Sequence, residues 1–456
     1  MKFKLFLRGV ASKIGIDESI FYTSSARIIQ AFGGVIAILF VARYLTGIEQ
    51  GFYYTFGSIV AIQVFFELGL NGIITQYVAH EAAYLEWKDN FTLIGDNKHL
   101  SRVSSLLHFS IKWYSVFAVV LLITLIVVGF IFFNKYDTSK NEVVWRLPWI
   151  ILSIGTAINL LLAPILAFVE GLGKVKEVAK IRFLQQSFSV FIVCGGLLCG
   201  AKLYVSGINW LIGIMLVVSL IVRGPFRKIL ISIWNIEITE RIDYRKEIFP
   251  YQWKIALSWI SGYFIFQLFN PVLFATEGAI VAGQMGMTLT VLNGITSLSM
   301  SWMSTKVPLF SNLIALGKFS ELDVIFNKTL KQSTLINCFA LVVMFSGIFL
   351  IRNFHLLIGG QYFGNRFLGY WPLLFMMIPI FLNQFITSWA TYLRCHKKEP
   401  FLVISIVGGV LSGFSTLLFG KYLGVIGVTG GYCLISLIIL LWAYQIYKSK
   451  KSLWHE

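Results

Sequence analysis

Long apolar runs separated by short polar segments dominate the chain. Ten runs of 19 to 28 residues contain no Asp, Glu, Lys or Arg. They are 113–134, 147–169, 183–201, 203–222, 255–276, 278–305, 332–351, 367–393, 400–420 and 422–447. Two further runs hold one charge well inside, Arg27 in 20–42 and Glu67 in 51–79. At about 1.5 Å of rise per residue, each run can cross a bilayer core about 30 Å thick. The pattern predicts an all-α polytopic membrane protein with 12 transmembrane helices.

The charges indicate how these helices are oriented. An even number of spans places both termini on one side of the membrane. That side holds 29 of the 38 Lys and Arg residues, whereas the opposite side holds eight. By the positive-inside rule, the N and C termini are therefore predicted to be cytoplasmic. The same bias accounts for most of the net charge of +17, so a nucleic-acid partner is not needed to explain it.

Loop lengths suggest two halves. The three longest predicted inner loops follow spans two, six and eight, at His80–Lys112, Arg223–Lys254 and Lys306–Lys331. Spans two and eight are both unusually long, and each leads into a loop of mixed charge that could form an amphipathic helix. We predict two parallel six-helix halves, 1–228 and 229–456, joined by the loop after span six. The outer loops are short and leave no room for an external catalytic domain.

Polar side chains inside the spans are the candidate functional groups. An acid at the centre of a membrane helix costs at least about 2.5–3.5 kcal/mol, so Glu67 is expected to face a protein interior or a watery cavity. One helical face carries Arg27 and Gln30, and another carries Gln63, Glu67 and Asn71. The remaining candidates are Lys254 at the start of span seven, Asn293 in span eight and Asn383 in span ten.

Each candidate also has a structural interpretation. Asn and Gln often join membrane helices by hydrogen bonds. Lys254 could extend its ammonium to water at the membrane boundary. Arg27 and Glu67 could form a structural ion pair, and such a pair is compatible with a nearby substrate cavity.

The sequence motifs of common enzymes are absent. There is no G-x-x-x-x-G-K-[ST], H-E-x-x-H or G-x-S-x-G motif, and the five cysteines lack metal-ligand spacing. The six histidines are scattered at loops and span ends. We therefore predict no catalytic residue, no metal and no cofactor, and hence a protein that is not an enzyme.

Three features resemble the polysaccharide-transport family of the multidrug/oligosaccharidyl-lipid/polysaccharide exporter superfamily. The first is a polar span one followed by the turn RYLTGIEQGFY from Arg43 to Tyr53. The second is Glu67-Leu68-Gly69-Leu70, which is similar to the family's acidic-x-Gly-Leu run. The third is the layout of six plus six spans. The turn and the acidic run are short, whereas the layout covers nearly the whole chain.

The resemblance implies a flippase that moves a lipid-linked oligosaccharide, usually carried on undecaprenyl diphosphate, to the outer leaflet of a bacterial inner membrane. Such a protein would serve surface polysaccharide or O-antigen assembly, with a polysaccharide polymerase and a ligase as possible partners. Arg27 and Lys254 would attract the diphosphate. Gln30, Gln63, Glu67, Asn71, Asn293 and Asn383 would line the cavity or couple an ion.

Two alternatives remain at this stage. One is a drug/cation antiporter of the same fold, similar to the multidrug exporters called MATE, which would use Glu67 as its ion-coupled acid. The other is a membrane glycosyltransferase or polymerase, which the short outer loops and the lack of an acidic cluster for a sugar nucleotide disfavour.

Overall fold

The computed structural model describes residues 18–89, 91–138, 142–396 and 398–455, and these residues are mostly helical. The helices are α1 (Glu18–Tyr44), α2 (Gly47–Val60), α3 (Val64–Glu67), α4 (Leu70–Ala82), α5 (Asn97–Tyr136), α6 (Arg146–Gly171), α7 (Val175–Leu198), α8 (Tyr204–Arg223), α9 (Phe226–Trp234), α10 (Phe249–Phe266), α11 (Phe269–Glu277), α12 (Ala279–Ala315), α13 (Phe319–Asn353), α14 (Tyr370–Arg394) and α15 (Leu402–His455). Two short hairpins pair β1 (Leu85–Trp87) with β2 (Leu93–Gly95), and β3 (Leu357–Ile358) with β4 (Gln361–Tyr362).

Ten helical segments of the described chain are long and apolar enough to cross a membrane. Two of them are interrupted: Gly47–Ala82 contains α2 to α4, and Gln252–Glu277 is divided between α10 and α11. A further helix, α15, has non-helical dihedral angles at Gly424, three residues after Lys421, at which the sequence predicts the boundary between two spans. The prediction of a polytopic helical membrane protein is confirmed, whereas the count of 12 and the orientation stay predictions.

Much of the predicted inner loops after spans two and eight is helical, as the expectation of a helix in each loop allows, and these helices continue into the neighbouring spans. Helix α5 begins at Asn97, far earlier than the predicted start of span three near Trp113. Helix α12 continues to Ala315, and α13 begins at Phe319 after a turn of three residues. Charged residues such as Arg102 therefore lie on helices that extend beyond the apolar runs, because a helix needs apolar residues only where it contacts lipid.

The chain divides into two compact units. Unit one holds the described residues up to Gly33, Gln63–Phe130 and Arg146–Ala256. Unit two holds Gly34–Ile62, Ile131–Trp145 and Leu257–Glu456. Both are discontinuous in sequence, so helices that belong to distant parts of the chain pack within one unit.

Within unit one, α5 packs against α6 where Gly129 meets Trp149. The Trp149 ring is fully buried, and its indole N–H donates to the Leu125 carbonyl at 3.0 Å. A Cβ on Gly129 would overlap the indole, so only glycine allows this approach. The other face of α5 exposes large apolar side chains, among them Val116, Val119 and Ile123. An exposed apolar stripe of this kind is what a lipid-facing helix requires.

Within unit two, α2 crosses α12 at glycines. A Cβ on Gly51 would overlap the backbone of Ala279, and a Cβ on Gly283 would lie 2.9 Å from the Gly51 amide nitrogen. Small residues at both positions let the two backbones touch, a common way of packing membrane helices. The amide of Gln50 adds a hydrogen bond to the Gly283 carbonyl at 2.8 Å.

Beside this crossing, the buried side chain of Arg366 joins several segments of unit two. Its guanidinium donates to the Gln50 side-chain oxygen at 3.0 Å and to the Gln361 side-chain oxygen at 2.7 Å. It also donates to the carbonyls of Ala42 and Leu45, at the end of α1. A guanidinium buried in this way needs several acceptors, and here it has four.

Candidate functional site

The second span is broken in its middle, next to Glu67. After α2, the segment Ala61–Gln63 is a 3₁₀ turn, and α3 ends at Glu67. Leu68 and Gly69 then take left-handed conformations, with φ of 49° and 68°. A left-handed leucine costs about 1–2 kcal/mol, which glycine avoids. Irregular backbone at membrane depth is tolerated where it is buried in protein or lines a water-filled cavity. The break therefore marks this position as a candidate site.

A chain of hydrogen bonds in unit one joins Glu67 to α5. The Asn71 amide donates to the Glu67 carboxylate at 2.5 Å, and the Tyr114 hydroxyl donates to the Asn71 side-chain oxygen at 2.9 Å. Glu67 and Asn71 are half-buried, and Tyr114 is fully buried. The Thr75 hydroxyl, one turn further along α4, donates to the Ala167 carbonyl of α6 at 3.0 Å. The acid is thus held in place within the protein.

Asn71 also lines a cavity of about 140 Å³ inside unit one. Side chains of α4, α6, α7 and α8 form its wall: Asn71, Asn159, Leu162, Ala163, Leu166, Arg182, Gln185, Ile214 and Val217. Arg182 is half-exposed, and its guanidinium lies 2.8 Å from the Glu170 carboxylate. The cavity therefore combines three amides and one balanced ion pair with an apolar wall, which is the usual composition of a site for a polar organic ligand.

The Tyr114 hydroxyl donates a hydrogen bond to the side-chain oxygen of Asn71. We expect Tyr114→Phe to lower the free energy of unfolding by about 1–2 kcal/mol, because this partly buried oxygen loses its donor. Thermal unfolding of the purified protein in detergent measures the loss. Tyr84→Phe is the matched control, since Tyr84 is 59% exposed and its ring stacks on His99 without needing the hydroxyl. Equal effects of the two substitutions would contradict the hydrogen-bonded role of Tyr114.

A charged cluster lies at the end of unit one that carries β1 and β2. Arg102 bridges the carboxylates of Glu81 at 2.9 Å and Glu247 at 2.5 Å, and the ring of His99 lies 2.6 Å from Glu81. The Ser101 hydroxyl accepts hydrogen bonds from two backbone amides of the segment before Tyr244. These bonds attach the segment between α9 and α10 to the start of α5, which is a structural role.

Unit two contains a larger cavity of about 480 Å³ between the ends of α12 and α14. Its lining includes Arg394 and His396. Burial lowers the pKa of His396 below its ordinary value of 6.5, so the ring is neutral at pH 7. Arg394 forms a two-point ion pair with Glu399, at 2.7 and 2.9 Å. The polar end of this mainly apolar cavity is thus already charge-balanced.

The predicted site residues are divided between the two units. The structure brings Glu67 and Asn71 into contact, and it leaves the side-chain oxygen of Gln63 buried without a hydrogen-bond partner among the described residues. Lys254 is exposed in unit one, with its ammonium 5.8 Å from the centroid of the Trp253 ring. In unit two, Asn293 is exposed and the Asn383 amide donates to the Tyr432 hydroxyl at 2.9 Å. The side chains of Arg27 and Gln30 lie outside the described part of the structure.

Four residues of the unit-one site are not among the sequence candidates: Tyr114, Asn159, Arg182 and Gln185. Asn159 was detectable as the one amide near the middle of span four, and Gln185 as part of the pair Gln185-Gln186 in span five. Arg182 lies just before a predicted span and has no signal of its own. Among the described residues, no three His, Cys, Asp or Glu side chains converge in a way that could hold a metal ion.

Comparison with known proteins gives the fold but not the family. No family model matches the sequence, and no curated protein matches it. Among solved structures, the MATE multidrug transporter DinF-BH covers 94% of each chain at 12% identity, with a TM-score of 0.58. The lipid II flippase MurJ in an inward closed conformation covers 93% of this chain and 86% of its own, at 14% identity and a TM-score of 0.56.

An inward-facing multidrug resistance MATE family transporter of the MOP superfamily covers 93% of this chain and 99% of its own, at 13% identity and a TM-score of 0.56. These similarities establish that the chain has the fold shared by MATE transporters and MurJ. They do not distinguish the polysaccharide-transport family from the others. At identities of 12–14%, they do not indicate which substrate this chain transports.

Proposed function

We propose that this protein is a flippase that carries a lipid-linked oligosaccharide, on undecaprenyl diphosphate, from the inner to the outer leaflet. The observation that carries the proposal is the break in the second span beside Glu67, next to a cavity lined by amides. Broken helices at membrane depth are typical of transporter binding sites. The fold adds support, because one of its known examples is a lipid II flippase.

The mechanism follows from solvation. A glycan cannot cross hydrocarbon without losing its hydrogen bonds to water, so polar side chains must replace water while the polyprenyl tail stays in lipid. Rocking of two six-helix halves, 1–228 and 229–456, would open the path of the substrate to each side of the membrane in turn. The diphosphate is attracted by Arg27 and Lys254, and an inside-negative potential favours its outward movement by about 2.3 kcal/mol per charge per 100 mV.

The proposal places the protein, with 12 spans and cytoplasmic termini, in the inner membrane of a bacterium, where it serves surface polysaccharide or O-antigen assembly. It binds membrane lipid, and a polysaccharide polymerase and a ligase would use the substrate after it has crossed. In this role the protein moves its substrate without chemical change, so it is not an enzyme and needs no cofactor.

A second candidate function is an ion-coupled multidrug antiporter. The half-buried Glu67, held by Asn71, is the observation that favours it, because such an acid can exchange a proton or sodium ion during transport. The same fold occurs in the MATE multidrug transporter DinF-BH. In this alternative the cation at Arg27 is structural.

The two functions predict opposite results for Arg27→Gln. As a flippase, the protein with Arg27→Gln should deliver surface glycan at least about tenfold more slowly, because the variant loses a charge contact to the diphosphate. Glycan is measured in cells that lack the native copy, with the amount of protein in the membrane measured in parallel. Arg227→Gln removes the same charge from an exposed position and serves as the control.

The antiporter would give the reverse pattern. Arg27→Gln would leave activity intact, whereas Glu67→Gln would abolish proton- or sodium-dependent efflux of a cationic dye. Dye efflux in cells without glycan enzymes, together with normal glycan delivery by Arg27→Gln, would overturn the flippase proposal.

A further inference from the structure

The unit-one cavity has the charge balance of a site for an uncharged ligand. Arg182 is the one charged side chain among the described residues of its lining, and the guanidinium is paired with Glu170 at 2.8 Å. A diphosphate carries about two negative charges, and burying it requires cations that are not already neutralised. The described lining of the cavity offers no such unpaired cation for the diphosphate of the proposed substrate.

Two of the amides that line the cavity have no hydrogen-bond partner in the described part of the chain. Asn71 is engaged by Glu67 and Tyr114, but the structure records no such contact for Asn159 on α6 or Gln185 on α7. A side-chain amide offers two N–H donors and an acceptor oxygen. Amide groups that line a cavity and lack protein partners are available to water or to a ligand rich in hydroxyl groups.

The volume limits the ligand to about one ring. The cavity has a volume of about 140 Å³. Pockets for drug-sized ligands are larger, about 300–1,000 Å³. The cavity itself therefore has room for about one sugar ring, and the rest of an oligosaccharide would lie outside it. The apolar part of the wall, including Leu162 and Ile214, suits the C–H faces of such a ring.

We infer that the cavity of unit one binds one uncharged sugar unit of the glycan, with Asn159 and Gln185 hydrogen-bonded to its hydroxyl groups. The half-exposed Arg182, which is paired with Glu170, adds a charged donor to the lining of the site. This inference rests on the proposed flippase function and deepens it, because it separates recognition of the sugar from recognition of the diphosphate. We expect a sugar with a carboxylate to bind less well, because the described lining offers it no unpaired cation.

The test compares carriers that differ only in their headgroup. Native mass spectrometry of the purified full-length protein measures binding of bare undecaprenyl diphosphate and of the same lipid bearing a neutral hexose, a neutral N-acetylhexosamine or a uronic acid. In the wild type, at least one neutral-sugar carrier should bind roughly tenfold more tightly than the bare lipid, the factor expected for one or two net hydrogen bonds. The uronic-acid carrier should show no such gain.

The preference is the affinity for the neutral-sugar carrier divided by the affinity for the bare lipid. Asn159→Leu and Gln185→Leu should each reduce this ratio toward one while leaving the affinity for the bare lipid unchanged. Asn327→Leu and Gln332→Leu make the same exchanges at exposed positions of α13 and should keep the preference. An unchanged preference in the Asn159 and Gln185 variants, equal loss of bare-lipid binding, or a preferred uronic-acid carrier would each overturn the inference. If the wild type bound none of the four lipids, the flippase proposal itself would fail, so the two failures are distinguishable.

Discussion

Gly51→Val is expected to lower the free energy of unfolding by about 3 kcal/mol, the upper end of the usual cost of overpacking. The added carbon atoms would overlap the carbonyl group and Cα of Ala279, which are backbone atoms of α12 and cannot rotate away. Helices α2 and α12 would have to separate, losing the Gln50–Gly283 hydrogen bond at 2.8 Å. Thermal unfolding in detergent, followed by size-exclusion chromatography, measures the effect.

Gly57→Val provides the matched control in the same helix. A Cβ on Gly57 meets no atom within 4 Å, so its substitution changes helix propensity and side-chain exposure but not packing. We expect this variant to unfold within a few degrees of the wild type. Similar destabilisation of both variants would mean that valine in α2, and not contact with α12, causes the loss.

Arg366→Met is expected to lower the free energy of unfolding by about 3–5 kcal/mol. This is the usual cost of removing one partner from a buried charged contact. The side chain is only 5% exposed, and its removal leaves the carbonyls of Ala42 and Leu45 and the oxygens of Gln50 and Gln361 without this donor. Methionine has a similar length and apolar stem but offers no donor. The measurement is again thermal unfolding of the purified protein.

Arg394→Met removes the same group from a half-exposed position. There the guanidinium pairs with the exposed Glu399, a kind of contact that contributes about 0–1 kcal/mol. The expected order of stability is therefore wild type, then Arg394→Met, then Arg366→Met well below both. If Arg366→Met were as stable as Arg394→Met, the buried hydrogen bonds of Arg366 would not stabilise unit two.

Helical periodicity identified one contact of the candidate site correctly. Glu67 and Asn71 are four residues apart, and the structure joins them by a hydrogen bond even though the helix breaks between them. The partner of Asn71 on α5, Tyr114, could not be found in this way, because it is distant in sequence. The lining contributed by α6 and α7 is distant for the same reason.

Hydropathy could not predict the helix breaks either. Spans two and seven are continuous apolar runs in the sequence, yet the chain leaves the helix at Leu68–Gly69 and again between Phe266 and Phe269. Gly69 was compatible with a left-handed turn, but many glycines in this chain lie inside regular helices. Only the surrounding contacts decide which of them end a helix.

The sequence by itself determined that this is a helical membrane protein, where the apolar segments lie, and which spans hold polar groups at membrane depth. Hydropathy suffices for this, because the bilayer imposes the same length and polarity on every span. Tertiary structure decided which polar groups meet. It gathered Asn159, Arg182 and Gln185 around one small cavity with Asn71, and it balanced Arg182 with Glu170. The physical reason is that helix–helix contacts depend on side chains far apart in sequence, whose close approach no local pattern encodes.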